Sequence, residues 1–245
     1  MRSFGRTVDL IIVLLVVRIL PEIAGSATSY IFPFVKSLDP AGTYLWKTIH
    51  HIFQLIFTIG LTITWFRSPL KSLGFNFREF NLSVKIFGWV SLGFIVLAFL
   101  TNAIPYLVSG EAPSFHYPLN ARNMGSVLGF QILLSGTCEE PLFRGFVMIA
   151  LARSWKGSFR LWKFEIPIAG LWATLFFMFA HIGISVNPLG ISHFSIPQQI
   201  LSLFLGLFYA ILFHRTKSLF GPMVYHGYSN VILIGVLYLL AFAMS

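Results

Sequence analysis

SVLGFQILLSGTCEEPLFRGFVMIALA, residues 126–152, is too long and too apolar to be the surface helix of a soluble domain, and its charges, Glu139, Glu140 and Arg144, sit near its middle. A helix crosses the hydrocarbon of a bilayer with about 20 mostly apolar residues rising about 1.5 Å each. This stretch meets that standard, and six others do so on either side of it, at 8–30, 50–66, 85–105, 166–186, 198–214 and 221–243. The whole composition agrees: 56% of the 245 residues are hydrophobic, 10% are charged and the mean hydropathy is +0.80. A soluble domain needs roughly 25% charged residues to cover its surface. The expected fold class is therefore all-α, a polytopic transmembrane helical bundle with seven membrane helices, or eight if residues 30–46 hide a short one. Residues 1–125 are expected to supply N-terminal membrane helices without motifs and residues 126–245 a helical core that holds the motif-like polar residues. The apolar run Leu10–Val17 is followed by Arg18, Pro21 and Glu22 without a clear small-residue cleavage site, so it is expected to remain as a helix.

The formal net charge of +9 is explained by orientation and not by nucleic acid, because no basic run forms the patch that a phosphate backbone requires. Lys and Arg concentrate in cytoplasmic loops. Arg2 and Arg6, then Arg67, Lys71, Arg78 and Lys85, then Arg153, Lys156, Arg160 and Lys163, and finally Arg215 and Lys217 fall in alternate connections; Lys36, Lys47 and Arg122 are all that the others hold. This alternation predicts a cytoplasmic N-terminus and an outside C-terminus. The segment 70–84, with Phe75, Phe77 and Phe80 among Lys71, Arg78 and Glu79, is expected to lie on the membrane surface. The single cysteine, Cys138, excludes an intrachain disulfide and is expected to be a buried apolar residue.

An ionisable side chain deep in a bilayer costs about 2.5 to 3.5 kcal/mol on insertion scales, so those that occur there are paired, buried and functional. Arg18 and Glu22 stand four apart and are expected to neutralise each other as a structural pair. In the fourth segment Glu140 and Arg144 have the same spacing, whereas Glu139 lies about 140° around the helix from Arg144. Glu139 is thereby left without that partner. Pro141 removes a hydrogen bond to Thr137 and crowds its carbonyl, so the helix should bend and admit water beside Glu139, where a carboxylate can serve as a general base. FMFAH puts Phe177 and His181 on one face of the fifth segment, and HGYSN does the same for His226 and Asn230 in the seventh. A single His in such a helix ordinarily hydrogen-bonds a neighbouring helix. These side chains are nearly all the strongly polar groups deep in the last four segments, and a bilayer requires them to satisfy one another. His50, His51, His116, His193 and His214 fall at segment ends or in loops, where an interfacial or solvated role is expected.

In order on successive hydrophobic segments, EEPLFRG (139–145), FMFAH (177–181) and HGYSN (226–230) make residues 126–242 resemble the CPBP family, the CAAX protease and bacteriocin-processing intramembrane proteases that include type II CAAX prenyl endopeptidases. The resemblance implies hydrolysis of a peptide bond within a membrane: Glu139 and His181 activating water, His226 and Asn230 donating to the oxyanion, and Glu140 with Arg144 as the supporting ion pair. The family is often labelled metalloprotease, but the glutamate-type reading, which needs no metal and no cofactor, is favoured; zinc held by Glu139, His181 and His226 is the alternative, although H-E-x-x-H is absent. The implied partners are the lipid bilayer and a membrane-associated peptide or protein substrate, of the prenylated CAAX type where such substrates exist, and the implied place is the cell membrane in a prokaryote. The sequence fixes no oligomeric state. Two other readings use the same residues, a non-proteolytic immunity or scaffold protein of this fold and a small-molecule transporter. The expected helix starts put His181 about 22 Å and His226 about 8 Å along their helices, so convergence requires those boundaries to move or the helices to tilt.

Overall fold

The computed structural model describes residues 2–244; Met1 and Ser245, the outer ends of the expected segments 1–125 and 126–245, lie outside them. The helices are α1 (Arg2–Val35), α2 (Leu45–Phe66), α3 (Phe80–Lys85), α4 (Phe87–Ser109), α5 (121–152), α6 (Ile168–Ala180), α7 (Ile196–Thr216) and α8 (Phe220–Met244). Five of them, α1, α2, α4, α7 and α8, are long and apolar enough to cross a membrane. The protein is an all-α polytopic membrane protein, as expected. Its outer surface is apolar: Ile11, Leu15, Ile19 and Ile23 on α1 and Trp89 and Val108 on α4 are exposed, as lipid contact requires.

No further helix lies in 30–46. Helix α1 runs through Pro21 and Pro33 to Val35, and a single 3-10 turn (Lys36–Leu38) leads to Asp39. Asp39 then organises the start of α2: Oδ1 accepts from the N–H and hydroxyl of Thr43, and Oδ2 from the N–H groups of Tyr44 and Leu45. Of these, the Leu45 N–H is one that a helix start otherwise leaves unpaired.

The expected fifth helix, 166–186, is shorter. Residues before and after it form hairpins, β1 (Ser158–Leu161) with β2 (Phe164–Pro167) and β3 (Gly183–Val186) with β4 (Leu189–His193), both antiparallel. Gly183 comes so close to β4 that a Cβ there would stand 2.7 Å from Ser192 Oγ. The β-branched Ile182 and Ile184 and the turn at Asn187-Pro188 favour strand over helix, against an apolar average that suits either.

The alternating connections come together as a polytopic bundle requires. On one side Arg6 Nε donates to Ser154 O at 3.1 Å, Asn76 Nδ2 to Lys217 O at 3.0 Å, and Leu219 N to Gly74 O at 2.8 Å. On the other Arg122 Nη2 donates to Leu38 O at 3.1 Å and Tyr117 bonds Tyr238 near the end of α8. One buried core joins Val13 and Val17 of α1 to Phe66 of α2, Phe146 and Leu151 of α5, and Phe177 and Phe213 of α6 and α7. The surface segment 70–84 is partly helical, and Phe77 and Phe80 lie against Phe220.

Candidate active site

Helix α5 carries wide, π-type turns at Gln131–Ser135 and Pro141–Met148, with ordinary α-helix at Gly136–Glu140 between them. Pro141 stands at the start of the second wide turn, as its missing N–H predicts. The two glutamates therefore project from a short regular turn between irregular ones. Glycine sets how near α8 comes to it. A Cβ on Gly136 would stand 2.1 Å from Met223 O, and one on Gly227 would stand 2.7 Å from Ile132 O. Backbone meets backbone there, and this approach brings His226 to Glu140.

Glu140 and Arg144 are completely buried. Glu140 Oε1 accepts from Arg144 Nη1 at 3.1 Å and from His226 Nδ1 at 2.8 Å, and Arg144 Nη2 donates to Gly206 O at 2.9 Å. The guanidinium lies over the rings of Phe177 and Tyr209, with centroids at 5.1 and 5.4 Å. One ion pair thus ties α5 to α7 and α8. The expected pairing of these two residues is what the geometry contains.

Glu139 points elsewhere, but it is not without a partner. Its Oε1 stands 3.1 Å from His51 Nε2 on α2, and its Oε2 stands 3.9 Å from His226 Nε2, beyond hydrogen-bond reach. His51 corrects the expectation of an interfacial, solvated side chain. The cause is a misplaced boundary: α2 begins at Leu45, so His51 lies well inside the helix. A signal was present, because Gln54, Thr58 and Thr62 follow at helical spacing and all are buried, marking an inward polar stripe in an apolar segment. His51 belongs to the expected segment 1–125, so the site draws on both halves of the chain.

His181 caps the C-terminal end of α6, with Nδ1 2.8 Å from Phe177 O; a carbonyl only accepts, so this nitrogen carries the hydrogen. His226 stacks on Tyr209, with centroids 5.3 Å apart and planes 15° apart. Asn230, one turn further along α8, donates through Nδ2 to Gln131 Oε1 at 2.9 Å and Ser135 Oγ at 2.8 Å. Gln131 and Ser135 were not singled out from the sequence, although they stand four apart in the same apolar segment.

His51, Glu139, His181, His226 and Asn230 all line one cavity of about 410 Å³, whose remaining wall includes Phe130, Leu201, Leu205, Leu233 and Leu237. The starts of α6 and α8, Ile168 and Phe220, lie within two residues of those expected, and His181 and His226 nevertheless both line this cavity. Among the described residues, no group of three His, Cys, Asp or Glu side chains is placed to hold a metal ion. Cys138 is fully buried, as expected. Arg18 and Glu22 are paired at 3.0 Å and partly exposed, away from this cavity.

No curated protein and no solved structure matches the chain. Residues 122–232 match the family model of Type II CAAX prenyl endopeptidase Rce1-like proteins. This match spans every one of the three sequence signatures and supports the resemblance to membrane-embedded CAAX proteases that they carry.

Proposed function

We infer that the protein is an intramembrane endopeptidase in which Glu139 is the general base. The observation that carries this reading is the division of labour between adjacent carboxylates. Glu140 is fully buried and its charge is answered by Arg144, while Glu139 opens on a cavity that also receives His181, His226 and Asn230 from two other helices.

In the proposed reaction a water held between Glu139 and His181 gives a proton to the Glu139 carboxylate as its oxygen adds to the scissile carbonyl carbon. His181, whose Nδ1–H is used on Phe177 O, presents Nε2 to orient that water. The carbonyl oxygen becomes an oxyanion, which accepts hydrogen bonds from His226 and Asn230. His226 donates from Nε2 as an imidazolium, with Glu140 as its counter-ion at Nδ1. Asn230 turns one Nδ2 hydrogen from Gln131 or Ser135 to the substrate. Collapse of the tetrahedral intermediate breaks the C–N bond, and the proton held by Glu139 passes to the departing nitrogen, leaving a carboxylic acid and an amine, between which the remaining water proton then moves. No step is routed through a metal.

The proposed substrate is a membrane-associated peptide or protein, with a prenylated CAAX-type chain end as the first class to test, because the apolar cavity wall suits a lipidated segment. The proposed orientation is that of the basic connections, with the N-terminus in the cytoplasm. The test is cleavage of a prenylated CAAX reporter and of membrane-anchored peptides by the purified protein, with and without a strong chelator. Glu139→Gln is expected to lower cleavage by about 10²- to 10⁴-fold while leaving the thermal unfolding temperature unchanged. A wild-type protein that is well folded and cleaves none of these substrates would turn the reading towards a scaffold. Sensitivity of cleavage to the chelator would bring the zinc alternative back.

A further inference from the structure

We propose that His51 is a positioning residue for Glu139, holding one carboxylate oxygen through a shared proton so that the other is left for water; this rests on the general-base reading of Glu139. The argument starts from the far side of the ring. His51 Nδ1 lies 2.9 Å from Lys47 O, one helical turn earlier, and because a carbonyl cannot donate, Nδ1 carries a hydrogen. In a neutral ring Nε2 would then be a bare lone pair. It stands 3.1 Å from Glu139 Oε1, which is also an acceptor when ionised. Two acceptors at that distance repel, so one proton lies between them, and because Glu139 must be a carboxylate to act as the base, that proton belongs to the imidazole. The contact is then a hydrogen bond between two charged partners, the stronger kind.

The ring is held for this purpose. Phe130 of α5 meets it edge-on, with centroids 4.9 Å apart and planes 88° apart, and His50 packs on it at 5.5 Å. With the carbonyl bond at Nδ1 these contacts fix the ring's orientation before any substrate arrives. Glu139 Oε1 is thereby pinned, and Oε2, without a hydrogen bond at 3.9 Å from His226 Nε2, is the oxygen that faces the water. A carboxylate free to rotate would present either oxygen, and misplacing a reacting atom by 1 Å costs on the order of 10²-fold in rate. Helix α2 thus contributes to the site although it carries no family signature.

Two measurements on the full chain in detergent or nanodiscs test this. In kinetics on any cleaved reporter, His51→Ala is expected to lower kcat about 100-fold with KM within about twofold, and His51→Gln, whose amide N–H can reach the same oxygen, to restore a substantial part of kcat. An unchanged kcat in His51→Ala, or a loss that appears as KM or as thermal stability, would overturn the proposal. In the second, protein with ¹⁵N-labelled histidine is expected to show His51 Nε2 in a hydrogen-bonded, proton-sharing state that changes in Glu139→Gln, while Nδ1 keeps its proton. A His51 Nε2 resonance indifferent to Glu139→Gln would overturn it whether or not cleavage is found. Absence of cleavage together with the expected ¹⁵N response would place the failure in the protease reading and not in the contact.

Discussion

Glu140–Arg144 and Arg18–Glu22 are the same device placed in two environments. Each is a glutamate and an arginine four residues apart on a helix, and the distances are alike, 3.1 and 3.0 Å. The first pair is completely buried; in the second the side chains are 32% and 66% exposed. The difference lies in what surrounds them. Around Arg144 the Gly206 carbonyl, His226 through Glu140, and the faces of Phe177 and Tyr209 take the place of water, although Arg144 Nε and Glu140 Oε2 have no hydrogen-bond partner among the described residues. Around Arg18, among the described residues, the Ile184 carbonyl joins in, at 3.2 Å. Spacing alone therefore does not rank the two; burial does.

The largest effect is expected from leaving one buried charge alone. Arg144→Met strands Glu140 and His226, and removing one partner of a buried pair costs about 3 to 5 kcal/mol. Denaturant unfolding in detergent should register that loss. The double variant Glu140→Gln/Arg144→Met should lose less than the two single changes combined, because each single change already breaks the interaction that the other removes. Strict additivity would show that the pair is not the unit it is taken to be.

Next comes the close approach that brings His226 to the pair. Gly136→Ala places a methyl group against Met223 O and His226 Cβ, at 2.1 and 2.9 Å before relaxation. Neither a carbonyl of the opposing backbone nor the root of His226 can move aside cheaply, so a cost of about 1 to 3 kcal/mol is expected, with cleavage lost as His226 is displaced. Gly60→Ala in α2 is the matching control: nothing lies within 4 Å of its Cβ, and a helix interior gains about 0.4 to 1 kcal/mol from the change. Parallel unfolding and cleavage assays on the two variants separate packing from mere helix propensity.

The same contrast explains what the sequence made legible. Glu140 with Arg144, and the two Phe/His and His/Asn faces, were readable because helical spacing is a local property and because polar groups are scarce in an apolar chain. The bundle followed from the hydropathy of long segments. Ends were harder. Whether residues 181–186 continue α6 depends on β-branched residues and a close glycine, which an apolar average does not distinguish, and starting α2 near residue 50 and not at Leu45 hid His51 at an apparent terminus. The partner of Glu139 was out of reach for a different reason. It comes from a helix 88 positions away, and no periodicity within one segment reports which faces of two segments meet. The buried stripe from His51 through Gln54, Thr58 and Thr62 was the one local hint.

Asp39 carries a cost of intermediate to small size and a pH signature. Its carboxyl is held below the ordinary 3.8: burial raises it, but hydrogen bonds from the backbone of Leu45, Tyr44 and Thr43 and from the Thr43 hydroxyl outweigh that. A carboxylate so held contributes stability that is fully present above pH 3.8 and is lost as pH falls through its folded-state value. Asp39→Asn, which keeps one acceptor oxygen and gives up the other, should therefore lower stability by about 0.5 to 1.5 kcal/mol at neutral pH, the net worth of a hydrogen bond. The gap to wild type should close on acidification below pH 3.8. A gap that stays constant with pH would mean that shape and not charge organises the start of α2.

The smallest effect returns to the opening pair. Arg18→Ala removes an exposed ion pair, which is worth about 0 to 1 kcal/mol, and also one hydrogen bond to the β3 carbonyl of Ile184. Glu22→Gln removes the ion pair alone. If solvent exposure is what separates this pair from Glu140–Arg144, both variants should unfold within about 1 kcal/mol of wild type. A larger loss in Arg18→Ala, with Glu22→Gln unaffected, would assign the guanidinium's value to anchoring the β3–β4 hairpin against α1. The comparison would then be between two arginines that each hold a backbone carbonyl, with the glutamate decisive only where water is absent.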